Sequence, residues 1–174
     1  MILCDRFRFF CVALMPHTKI PTRHGIKSRM ISIDENKNKL RVELELSLKA
    51  GEIVGKLYDA LHAQYINPYN ENSLASLNKL CVRLVFCLFA ESSGIFGKHK
   101  IFRDYLSGAR NIRQDLILLF DVLNTPLELR DPYLDDTLKK FPFVNGGLFE
   151  GTIEIPNFTP EIKNLLLEEA RACW

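Results

Sequence analysis

The stretch Asn72–Gly97, NSLASLNKLCVRLVFCLFAESSGIFG, decides how the rest of the chain is read. Leu74, Leu77, Cys81, Leu84 and Leu88 recur at spacings of three and four, which puts them on one face of a helix. Leu80, Val82, Val85, Phe86 and Phe89 cover most of the remaining circumference, and from Leu80 to Ala90 only Arg83 is polar. A helix that is apolar nearly all round has to be enclosed by other elements, so it is expected at the centre of a helical domain. Asn72 or Ser73 is the expected cap and Gly94 the expected stop.

Working back toward the N-terminus, Ala50, Ile53, Val54, Leu57, Leu61 and Tyr65 form a second helical stripe, which Asn67-Pro68-Tyr69-Asn70 brings to an end. Before it, Leu40, Val42, Leu44, Leu46 and Leu48 alternate with Arg41, Glu43, Glu45 and Ser47, the period of a strand. Pro16 to Asp34 has no sustained period and reads as loop, while Arg6-Phe7-Arg8-Phe9 alternates as a short strand would. Working forward, Ile101, Phe102, Tyr105 and Leu106 predict a short helix closed at Gly108, and Ile112, Leu116, Leu119, Phe120 and Leu123 a longer one ending near Asn124. Leu134, Leu138 and Phe141 suggest one or two further turns. Asn145, Gly146 and Gly147 supply the positive φ angles of a hairpin-like turn between two aromatic-rich arms. Thr159 as cap, Pro160 at the first position and Glu161 in the first turn open a last helix. The expected fold is mainly α: a multi-helix domain over residues 46–174, with a short β element near the N-terminus and a basic, poorly organised leader over residues 1–45.

Composition narrows the class. The chain has 174 residues, 47% of them hydrophobic, enough for one domain with a real core. Residues 1–50 hold ten Lys or Arg against five acids, and residues 51–174 thirteen against sixteen, so positive charge collects at the front. Such a front could touch phosphates or be a solvated arm. Five cysteines, at Cys4, Cys11, Cys81, Cys87 and Cys173, form no paired framework, as in a chain with reduced, packed thiols. The apolar run Phe9–Met15 is short, ends at Pro16 and has no small-residue cleavage site, which argues against a signal peptide. No stretch approaches the roughly twenty consecutive apolar residues of a bilayer span. A cytoplasmic protein that does not enter the membrane is expected.

Candidate chemistry is thin. Asn67-Pro68-Tyr69 and Asp131-Pro132-Tyr133 imitate the motif with which DNA amino-methyltransferases hold a flipped base, but each has one proline and neither follows an apolar strand, so turn roles are favoured. Asp34 with Glu35-Asn36-Lys37 has the letters of a nuclease metal site without strands to orient them. Cys4, Cys11, His17 and His24 match no common zinc spacing. Gly146-Gly147 lacks the Lys and Ser or Thr of a phosphate loop. His17, His24, His62 and His99 stand apart from any nucleophile. No catalytic, cofactor-binding or metal-binding residue is assigned. The structural candidates are Asn145, Gly146, Gly147 and Arg83, a cation in an apolar helix that should pair with an internal carboxylate or else emerge to meet phosphate, with the internal pair favoured.

Three phrases, LNKLCVRLVFCLFAESSGIF (Leu77 to Phe96), LFDVLNTPLELRDP (Leu119 to Pro132) and FPFVNGGLF (Phe141 to Phe149), together resemble the helical, helicase-like spacer domain of MmeI-like restriction-modification enzymes. The resemblance runs from about Leu46 to Trp174. It implies a noncatalytic spacer between a nuclease and an adenine-specific DNA methyltransferase, with those two domains and DNA as partners. S-adenosylmethionine and a divalent metal would serve those domains, with no cofactor in this chain. Ser92 stands where the family commonly has an acid. The methyltransferase expected beyond a residue like Trp174 is not in the sequence, so the chain reads as a fragment. A free-standing helical module that binds protein or DNA is the alternative.

Overall fold

The computed structural model describes residues 28–98, 100–144 and 146–171. They fall into two compact units divided between Glu52 and Ile53. Among the described residues there are five α-helices: α1 Ser28–His62, α2 Glu71–Ser92, α3 Ile101–Gly108, α4 Ile112–Asn124 and α5 Pro160–Glu169. Two short 3-10 turns, Leu127–Leu129 and Leu138–Lys140, stand between α4 and α5. The described residues form no strand.

The N-terminal β expectation is therefore corrected where it can be seen: Leu40 to Leu48 lie inside α1. The alternation is real, but between Lys37 and Lys49 only Val42 is β-branched, and Leu, Glu, Lys and Arg are strong helix formers. Arg41 and Glu45, one turn apart, pair at 3.5 Å on that helix. The loop expected up to Asp34 is likewise replaced by helix from Ser28. The Arg6–Phe9 strand lies outside the described residues.

In the second unit α2 is the core helix. Leu77, Leu80, Cys81, Leu84, Val85, Cys87 and Leu88 are each at most 1% exposed. Around them lie Leu57 and Leu61 of α1, Phe102 and Leu106 of α3, Leu116, Leu119 and Leu123 of α4, and Ile162 and Leu166 of α5, all buried. By length and composition alone α2 is apolar enough to cross a membrane, contrary to the expectation that no stretch would be. Most of its apolar window is enclosed by protein, which is what a core helix requires.

Chain ends of the helices follow local chemistry. Asn70, rather than Asn72 or Ser73, caps α2, its side chain accepting from the Asn72 amide. Ser93 closes the helix onto Phe89 O, and Gly94 at φ 76° turns the chain away. Asn111 caps α4 and Thr159 caps α5 by accepting from Gln114 and Ile162 amides. Gly146 and Gly147 have φ of 151° and 72°, conformations that glycine adopts without strain, in a bend with no flanking strands. Asn145 lies outside the described residues.

Candidate functional site

The phrase FPFVNGGLF and the residues after it form an irregular strap that crosses the helices. Its grip begins with Arg83, 2% exposed on α2. Nε donates to Leu148 O at 2.9 Å, and Nη2 donates to Glu150 O at 2.9 Å and Gly151 O at 3.1 Å. The guanidinium also lies 5.4 Å from the Phe120 ring centre and 5.7 Å from that of Phe149. The internal partner is thus a set of main-chain carbonyls, not the carboxylate expected. Burial lowers the Arg83 pKa, but an arginine starts so high that it stays charged. A planar fork suits this task because it meets diverging acceptors at once.

Further donors hold the strap along its length. Tyr65 Oη donates to Glu154 O at 2.7 Å, Ser73 Oγ to Glu154 Oε2 at 3.0 Å, and the Glu154 amide to Ser76 Oγ at 3.2 Å. Arg113 Nε on α4 reaches Ile155 O at 2.6 Å. Upstream, Arg130 donates to Val122 O, Thr125 O and Phe141 O at 2.9, 3.0 and 2.7 Å, tying the end of α4 to the start of the strap. Edge-on aromatic contacts run from Tyr105 through Phe141, Phe96 and Phe86 to Phe149, which meets Phe120 in a tilted pair. Nothing in the letters of this region announced that its main chain, and not its side chains, would be the acceptor.

Other singled-out residues serve locally. Asp131 Oδ1 accepts from the Tyr133 amide at 2.8 Å, a turn role, and Tyr133 is 93% exposed. Tyr69 meets His62 edge-on. Asp34 and Glu35 belong to α1. Cys81 and Cys87 are buried free thiols, and burial pushes Cys81 up to about 12. Among the described residues no three of His, Cys, Asp and Glu gather as metal ligands would. Cys4, Cys11, Cys173, His17, His24 and His99 lie outside those residues. Sequence reasoning passed over Glu91, buried at the end of α2. Its Oε2 accepts from the Arg103 amide at 3.0 Å while Oε1 has no partner. Burial raises its pKa, opposed by the Arg103 bond.

Among the described residues these contacts tie the strap to α2, α4 and the segments beside them. The family model described as the MmeI helicase spacer domain matches residues 75–149, which include most of α2, all of α3 and α4, and the strap as far as Phe149. Over this stretch the chain resembles an MmeI-type helicase spacer domain. The chain resembles a solved structure of the Type IIL restriction-modification enzyme MmeI in complex with DNA, with a TM-score of 0.63 and 34% identity, over 72% of this chain and 17% of that one. It is also 29% identical over 128 residues to DNA methyltransferase A of Bacillus subtilis (strain 168), covering 70% of this chain and 14% of the relative. The chain therefore spans about a sixth or less of the length of these relatives.

Proposed function

We propose that this chain is the noncatalytic spacer of a restriction-modification enzyme, fixing the distance and orientation between a nuclease and an adenine-specific DNA methyltransferase. The match of residues 75–149 to the MmeI spacer carries this reading. The strap supports it physically: four donor side chains, Tyr65, Arg83, Arg113 and Arg130, hold an irregular stretch at main-chain atoms, which suppresses bending at the place where helices would otherwise slide. A stiff connector makes a cut fall at a defined distance from the bases that were recognised.

In the parent enzyme S-adenosylmethionine and a divalent metal would belong to the neighbouring domains, and the reduced, buried Cys81 and Cys87 suit a cytoplasmic protein. Incubating the isolated chain with DNA, magnesium and labelled S-adenosylmethionine should give neither methyl transfer nor cleavage. Turnover in either assay would overturn the spacer reading. Grafting residues 53–171 in place of the matching segment of DNA methyltransferase A should leave methylation intact.

A further inference from the structure

An open groove of about 370 Å³ lies where α4 and α5 begin, lined by Ala109, Arg110, Asn111, Ile112, Arg113 and Lys163 together with residues 157–160. Its lining carries three cations and no carboxylate; Asp115 and Glu161, the acids of the two first turns, do not line it. Two of the cations are held in place by main chain. Arg113 spends Nε on Ile155 O, which leaves its terminal nitrogens without a partner among the described residues, and Lys163 Nζ is fixed by Ala109 O at 2.9 Å and Ser107 O at 3.4 Å. Arg110 is exposed and makes no hydrogen bond or ion pair among the described residues. The amides of Ile112 and Arg113 head their helix and so lack intrahelical acceptors.

We infer that this groove seats a phosphate of the DNA backbone, gripped by Arg110 and the free end of Arg113 while Lys163 adds charge from the α5 side. The inference rests on the spacer reading for the presence of DNA nearby. It explains why cations are gathered here, in the part of the chain where acids outnumber bases. Contacts of this kind position a protein on a duplex without reading sequence.

Fluorescence anisotropy of the whole chain with a short labelled duplex, over a series of salt concentrations, tests it. Arg110→Gln should lower the salt slope by about one and weaken binding, equally for unrelated sequences. Because Arg110 is exposed and has no hydrogen bond or ion pair among the described residues, its variant should unfold at the wild-type temperature; Arg113→Gln should show the same slope loss after its fold is verified by circular dichroism. Inorganic phosphate separates the sources: a groove for the duplex needs far higher phosphate to displace DNA than a small-anion site would. Unchanged slopes in both variants would place any binding elsewhere and sink the inference. So would phosphate binding without DNA binding, or no binding of either probe at low salt. None of these results touches the spacer reading, which fails only on turnover by the isolated chain or loss of methylation in the graft.

Discussion

Arg83 was legible as an anomaly because a lone cation among the ten apolar residues of Leu80–Ala90 has to be satisfied somewhere. Which atoms would satisfy it was not legible, since every residue offers a carbonyl and none is marked by its letter. Arg83→Met should leave the carbonyls of Leu148, Glu150 and Gly151 short of donors and cost about 3 kcal/mol in urea unfolding. Arg83→Lys should recover only part, because an ammonium lacks the fork and stacks less well on Phe120 and Phe149. Glu91 is the other buried charge. Its pKa is raised from 4.5 by burial, so between 4.5 and the raised value the folded chain holds a proton that the unfolded chain has lost. Stability contributed by this residue must then fall as pH rises through that window. Glu91→Gln keeps an acceptor for the Arg103 amide and should flatten the fall, measured as unfolding midpoints across a pH series.

Helices were readable where apolar spacing and end chemistry agreed. The stretch around α4 has both a five-residue apolar stripe and Pro126 beyond it, and the helix is Ile112–Asn124 as expected. α5 carries its cap, its proline and its acid in order. The reading failed at Leu40–Leu48, where alternation and a spacing of four coexist: Leu40, Leu44 and Leu48 share one helical face and are 67%, 59% and 66% exposed. Hydrophobic period alone could not choose between the two, whereas helix propensity could have. The connection between α2 and α3 holds a residue in an uncommon conformation, Lys100 at φ 72°. Lys100→Gly should stabilise by about 0.5–1 kcal/mol, since glycine adopts that angle without a Cβ penalty, and thermal unfolding would show it. Arg130→Gln should speed hydrogen exchange over residues 126–141 before it affects α2, because its three bonds close that loop.

At the scale of the molecule, the sequence disclosed a helical domain and its likeness to a spacer, but not that the aromatic phrase would run as a strap over the helices. That arrangement depends on pairings up to 89 positions apart, such as Tyr65 with Glu154, which no local window contains. The leucine face of α1 leads to a prediction for the whole chain: it should self-associate as concentration rises in sedimentation experiments, and Leu40→Glu with Leu44→Lys should reduce the association without lowering the unfolding temperature. The Arg83 clasp has one more consequence. Where its hydrogen bonds go, to oxygen atoms of the peptide backbone, the fork is blind to the identity of the amino acids supplying them. Leu148 and Glu150 are therefore open to rewriting, and a dye or crosslinker could be attached at either position to watch the joint while it stays shut.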